Sequence, residues 1–420
     1  MKTVVIGGGA SGMLASVFAS AYSDVILLEK NEKLGKKLYI TGKGRCNLTN
    51  AAPDNEFFDN VVSNPKFLYS AIKKFNSART MEFFENHNLK LKVERGNRVF
   101  PFSDKSSDVI KTLQRALEDN NVEVRLSERV TGWEVNGKRI NAIITDKAKY
   151  PCDKVILATG GKSYPQTGST GDGYDLAKSV GHTIVSPKPA LTALDTRFAF
   201  DVNGNKRRLA DLPSLEGLSL KNVRATVINR DSKKPLFSEF GEMLFTDTGV
   251  SGPIILTLSS RINRMALENL QLVIDLKPAL DDKTLDARIL RDFEANANKQ
   301  FKNSLNELLP SSLIPFIITL SGIDSGKKIN VICAKERANL ALLLKNLTFT
   351  IDCLDNIDRA IVTSGGVDTK EINPKNMQSK LIENLYFAGE IIDVDALTGG
   401  FNLQIAFATA FLAGSDSENT

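Results

Sequence analysis

Gly7, Gly9 and Gly12 stand in the run Gly7-Gly8-Gly9-Ala10-Ser11-Gly12, and Glu29 and Lys30 follow at the end of the next apolar strand. Residues of these types at this spacing suit a diphosphate and a ribose. Gly7 allows a tight turn, Gly9 leaves the backbone open to a pyrophosphate, and Gly12 lets a helix sit close to a strand. A helix beginning at Ala10 and Ser11 offers free N–H groups and a positive dipole end to phosphate. Glu29 is spaced to accept hydrogen bonds from ribose hydroxyls, with Lys30 beside it in the cofactor set. A glycine-rich turn without a ligand is the plainer reading. The strand, helix, second strand and terminal acid together argue against it.

Three further segments turn the expectation from NAD toward FAD. Ala158-Thr159-Gly160-Gly161 ends a buried strand in a sharp turn. Ala388-Gly389-Glu390 ends another strand, and Thr398-Gly399-Gly400-Phe401-Asn402 then leads into a helix. Glu390 is expected on the ribityl chain or phosphate. Gly400, Phe401 and Asn402 are expected at the isoalloxazine, where a helix N-terminus stabilises negative charge on reduced flavin. The third segment runs from Gly35 to Asn50 and contains Lys37, Arg45, Cys46, Asn47 and Thr49. Its backbone N–H groups and cations suit phosphate or a substrate carboxylate. Each segment also has a bland reading, as a turn, a strand–loop–helix or a solvated basic loop.

The elements that must position these residues can be read from periodicity. Apolar strands are expected at 3–6, 25–28 and 154–158, with a small-residue helix over 10–21. Helices are expected within 65–90 and over 105–119, and short strands within 122–146. Strand-like stretches at 223–229, 236–245 and 270–276 suggest a small antiparallel barrel or sandwich. Residues 279–344 read as short helices broken at Pro310 and Pro315, and a small-residue helix closes the chain over 404–413. The fold class is α/β: a Rossmann-type FAD-binding domain of the two-dinucleotide-binding flavoprotein class, with an inserted β-barrel and a small helical domain. The expected boundaries are 1–186 with 366–420 for the FAD domain, 187–278 with 345–365 for the barrel, and 279–344 for the helices.

Composition narrows the chemistry. The 420 residues are 42% hydrophobic and 25% charged, those of an ordinary globular protein. No apolar run is long enough to cross a bilayer, and the first strand begins at residue 3. A cytoplasmic protein without membrane contact is expected, with a polar, frayed tail from Gly414. Cys46, Cys152, Cys333 and Cys353 lack paired-ligand spacing, which fits a reducing compartment and speaks against zinc. Two histidines, His87 and His182, make a histidine metal centre or a Ser-His-Asp triad improbable, so no metal is expected. The net charge of +5 is mildly basic and permits, without demanding, an RNA partner.

Four long motifs, in order along the whole chain, resemble one bacterial flavoprotein group. They are Gly35 to Asn50, Arg98-Val-Phe-Pro-Phe-Ser103, Gly241 to Pro253, and Ala388 to Gln404. The group is the BaiN-like, or aminoacetone-oxidase-like, NAD(P)/FAD-dependent oxidoreductase family. The resemblance implies bound FAD and a three-domain fold. It implies less about the reaction: members are assigned as reducers of conjugated C=C bonds, as small-amine oxidases, or as reducers of a uridine in ribosomal RNA. Carried over, it assigns Gly7, Gly9, Gly12 and Glu29 to the ADP half, and Lys37 to ribose or phosphate. Asn47 and Thr49 fall near the flavin or the linking phosphates, and Val130 near the adenine. Thr159, Gly160 and Gly389 line the cofactor. The family has a histidine where this chain has Asp247.

Reduction of a C=C bond requires a protein acid for the second proton. Cys46, Asp247, Tyr164, Glu390 and Asp393 are the candidates. Arg45 beside Cys46 is expected to lower the thiol pKa. No second strand-bounded glycine motif offers NADH or NADPH a site of its own, since Gly168-Ser-Thr-Gly171-Asp-Gly173 lacks a preceding strand. The expected function is hydride transfer between flavin N5 and a small-molecule substrate, reducing a conjugated C=C bond with NAD(P)H as donor. A uridine reductase, an amine oxidase and a non-catalytic FAD module are the alternatives. Substrate identity and oligomeric state are not written in these motifs.

Overall fold

The computed structural model describes residues 1–415. The chain divides into two compact units, Met1–Ala190 with Ile357–Thr420, and Leu191–Asn356.

A five-stranded parallel sheet organises the first unit. Strand β1 (Lys2–Ile6) lies at its centre, between Lys154–Leu157 on one side and β2 (Asp24–Leu28) on the other. Leu385–Phe387 and Glu123–Arg125 form the edges. The central strands are continuous apolar runs because both faces are covered: Val4, Val5, Val155, Ile156 and Leu157 are fully buried. Each such side chain removed from water contributes roughly 1.5–3 kcal/mol before conformational entropy is charged.

Helix α1 (Ala10–Ala19) covers one face of the sheet. A Cβ at Gly12 would stand 1.8 Å from the Gly7 carbonyl oxygen, so only glycine allows this approach. The terminal helix Phe401–Gly414 is apolar on every side and buried almost throughout. It packs closely on α1: a Cβ at Gly414 would lie 2.6 Å from the Ala15 carbonyl oxygen, and Phe18 meets Phe411 edge-on at 4.9 Å. The helix starts at Phe401, three residues before the expected position, because Phe401 and Ile405 share the buried face. Gly414 and Ser415, expected in a frayed tail, are ordered: Gly414 ends the helix and Ser415 is buried. Residues 416–420 lie outside the described residues.

Two small sheets and a strand pair complete this unit. Thr49–Asn50, Arg98–Pro101 and Leu91–Glu94 make one antiparallel sheet; Val130–Asn136, Arg139–Thr145 and Lys149–Pro151 make the other. Ile184–Ala190 pairs with Val362–Val367. That ladder corrects the expected boundaries, because 187–190 and 357–365 fold with the first unit and not with the barrel.

The second unit contains a nine-stranded antiparallel sheet built around the long strands Ser219–Asn229 and Pro235–Phe245. Among the described residues, no strand pairing joins its edges Lys206–Arg208 and Cys353–Leu354 into a closed barrel. Helices Asp282–Ala295, Ile314–Ser321 and Ala334–Lys345 are not a separate helical domain. Their apolar faces share one core with the sheet, in which Leu285, Ile289 and Phe316 lie with Leu272, Ile274 and Phe349. Pro315 starts a helix where a break was expected, since its missing N–H is no loss in a first turn.

Candidate functional site

The glycine loop leaves β1 and meets the carboxylate at the end of β2. The Gly8 N–H donates to Glu29 Oε2 at 2.7 Å, and the Asn31 backbone N–H and Nδ2 donate to Oε1 at 2.8 and 2.7 Å. Glu29 is thereby held in one orientation, 8% exposed, against the loop a dinucleotide would cross. Gly9 faces open space, with no heavy atom within 4 Å of where its Cβ would stand. No side chain caps the first turn of α1, so its N–H groups remain available to an anion. Ala10 is half-buried. Ser11 is buried beneath Gly389, whose Cβ would fall 2.5 Å from Ser11 Oγ.

Two buried polar atoms in the neighbouring loops have no protein partner. One is Oδ1 of Asn47, in the loop after helix α2 (Lys36–Ile40); the other is Oγ1 of Thr159, where the strand Lys154–Leu157 ends. A fold rarely leaves such atoms unpaired, because removing them from water costs free energy that only a hydrogen bond returns. Gly160 turns the chain immediately afterwards, with φ at +75°.

Other expected contacts are made within the protein. Lys37 Nζ, expected on ribose or phosphate, donates to both oxygens of Glu390 at 2.9 and 2.7 Å and to Ser163 Oγ at 2.7 Å. Glu390 also accepts from the Thr363 N–H at 2.8 Å. The pair is a neutral clamp joining α2 to the strand end at Ala388. Lys30 Nζ donates to Thr170 Oγ1 at 2.5 Å and Asp172 Oδ2 at 3.0 Å, fastening the end of β2 to the 168–173 loop.

The start of the terminal helix is shaped by contacts within the protein. Gly400 has φ at +100°, and a Cβ there would lie 2.4 Å from the Thr49 carbonyl oxygen, so the loop requires glycine. Phe401 is turned into the core against Phe57 at 5.6 Å, not toward a cofactor. The Asn402 side chain is spent on its own loop: Oδ1 accepts from the Ala396 N–H at 2.9 Å and Nδ2 donates to the Ala396 carbonyl at 2.7 Å. Thr49 Oγ1 donates to Gln404 Oε1 at 2.6 Å, which also accepts from Thr80. The side chains of Thr49, Phe401 and Asn402 thus make these contacts within the protein.

The expected acids also separate. Cys46 is fully buried, and burial pushes its thiol up to about 12, opposite to the expected lowering. Arg45 cannot act on it, because its guanidinium turns away to Glu94 and Asp104, both at 2.5 Å, and lies 4.2 Å over the Phe100 ring. Tyr164 is half-buried in the turn after Gly161, with φ at +53°. Asp247 is an exposed turn residue of the second unit. Asp393 is buried and accepts from Asn64 Nδ2 at 3.1 Å. Val130 is buried at the start of its strand, paired with Thr145. Not singled out from the sequence is Tyr174, on the helix Asp172–Ser179, whose buried hydroxyl also makes no hydrogen bond within the protein. Its only signal was the glycine run 168–173, which the missing strand had set aside.

The open loop, the held carboxylate and the two orphaned polar atoms fit a dinucleotide cofactor. Residues 1–416 match the family described as HI0933-like protein Rossmann domain. The chain belongs to this family. This HI0933-like chain is 32% identical to the 3-dehydro-bile acid delta(4,6)-reductase of Clostridium scindens, covering 98% of this chain and 97% of that one. It is 28% identical to the ribosomal RNA dihydrouridine synthase of Escherichia coli, again covering 98% and 97%. Among solved structures there is a loose likeness to Mycobacterium smegmatis Sdh1 in complex with UQ1, at 14% identity and a TM-score of 0.49, covering 98% of this chain and 67% of that one. The HI0933-like chain is an FAD-dependent oxidoreductase with a Rossmann-type FAD-binding domain. Among the described residues, no helix is long and apolar enough to cross a membrane, and no cluster of ligating side chains could hold a metal.

Proposed function

We propose that the chain reduces a carbon–carbon double bond conjugated to a carbonyl group, with NADH or NADPH as donor. One observation carries this reading. Two relatives aligned over 98% of the chain are named for saturating such a bond, a delta(4,6)-reductase and a dihydrouridine synthase. When bound, FAD supplies the hydride chemistry.

The chain's own residues do the rest. Glu29 and the first turn of α1 hold the adenosine diphosphate half. Asn47 and Thr159, whose buried side-chain oxygens make no hydrogen bond within the protein, are proposed to line the cofactor. Gly400 seats the start of the terminal helix against the Thr49 backbone, and the free N–H groups of that helix start are proposed to face the cofactor. The Lys37–Glu390 pair keeps the adjoining loops in register. Tyr164, next to the Gly160–Gly161 turn, is the proposed proton donor to the second carbon; the buried thiol of Cys46 is too weak an acid for it. The donor nucleotide docks transiently, since the 168–173 run follows no strand.

A small unsaturated ketone is the proposed substrate, following the more similar of the two relatives. A uridine in ribosomal RNA is the second reading. It is favoured by the net charge of +5 and by the wholly exposed edge strand Lys206–Arg208. The holoprotein, given NADH or NADPH without air and then a steroid 4,6-dien-3-one, is expected to yield a product two hydrogens heavier. Nucleotide consumption with neither the ketone nor ribosomal RNA reduced would contradict the proposal.

A further inference from the structure

The unpartnered hydroxyl of Tyr174 is the strongest buried group that the site described above does not use. Tyr174 is 4% exposed, and its hydroxyl makes no hydrogen bond within the protein. The helix that carries it, Asp172–Ser179, is fixed at its start from two directions. Asp172 takes the ammonium of Lys30 from the end of β2. Gly173 lies so close to Thr159 that a Cβ there would stand 1.9 Å from Thr159 Oγ1. Tyr174 therefore follows, by one residue, a glycine pressed against another orphaned hydroxyl. Buried polar groups are almost always paired, and two unpaired hydroxyls on adjoining elements point to one missing partner.

We infer that Tyr174 is a cofactor-binding residue, donating its hydroxyl proton to an oxygen acceptor of the bound FAD. Burial and the nearby carboxylates of Glu390 and Asp393 hold the phenol well above its usual range, so it stays neutral and remains a donor at every working pH. Ring and hydroxyl are both immobilised by packing, so the hydrogen bond costs little ordering on binding.

The inference rests on the FAD reading, and the experiment separates the two. FAD is titrated into apoprotein prepared from wild type and from Tyr174→Phe, following flavin fluorescence, and the thermal midpoint of each apoprotein is recorded. Phe fills the same volume, and the lost hydroxyl has no protein partner, so the apoprotein midpoint is expected to hold or rise. The Kd for FAD is expected to rise about tenfold, the usual consequence of deleting one buried hydrogen bond. An unchanged Kd would overturn the inference whatever the midpoint does, and a lowered midpoint beside it would show that the hydroxyl serves the apoprotein. Failure of the wild-type protein to take up FAD would overturn the cofactor reading itself.

Discussion

Cys46 shows how far a residue's neighbours in sequence can mislead. Read along the chain, a thiol beside Arg45 suggests a lowered pKa. In the fold the two side chains diverge, and burial alone decides the thiol. Cys46→Ser is therefore expected to keep flavin reduction within about twofold of wild type. It should lose about 1–3 kcal/mol of stability by leaving a buried hydroxyl unpaired. Iodoacetamide should not label Cys46 in the folded protein, and mass spectrometry of the labelled peptides checks this. The turn at Gly7 to Gly12 and the place of Glu29 at the end of β2 were legible because they are local, set by a turn and its two flanking elements. The roles of Thr49, Phe401 and Asn402 were not legible. They depend on Gln404, Phe57 and the Ala396 backbone, contacts a motif does not contain.

At the scale of elements, the close approaches carry the account. Gly400 seats the terminal helix over the Thr49 backbone at positive φ. Gly400→Ala forces a strained backbone costing about 1–3 kcal/mol and displaces the helix start. A lower thermal midpoint and FAD binding weakened by at least tenfold are expected, measured by scanning calorimetry and fluorescence titration. A second element-scale expectation concerns the strand pair Ile184–Ala190 and Val362–Val367. His182, just ahead of it, is buried against Phe387 and bonds Glu371 at 3.0 Å and Ser379 at 2.8 Å. Burial holds its pKa below 6.5, an effect stronger than the opposing pull of Glu371. The unfolded chain then takes up the proton first, so stability is complete above pH 6.5 and falls as pH drops below it. His182→Gln should flatten the fall in thermal midpoint between pH 6.5 and about 5, above the range where Glu371 begins to titrate. An unaltered slope would contradict this assignment.

At the scale of the whole molecule, periodicity made the parallel strands, helix α1, the helix Ser106–Asp119 and the return of the strand Leu385–Phe387 legible, whereas the helices Asp172–Ser179 and Pro253–Ile262 were not read from it. Boundaries between units were less legible. Val362–Val367 reads as barrel strand by composition, and its membership of the first unit is decided by a partner strand over 170 residues away in sequence. The helices of 282–345 likewise read as independent until their apolar faces are seen to share a core with the sheet. Among the described residues, no second glycine motif follows a strand in the manner of Gly7 to Gly12. Anaerobic stopped-flow reduction of the purified holoprotein by NADH and by NADPH, followed by admission of air, tests the central claim most directly. Rapid bleaching of the flavin by one nucleotide with slow reoxidation is the predicted result. No bleaching by either nucleotide, with bleaching by small amines and rapid peroxide formation in air, would contradict it.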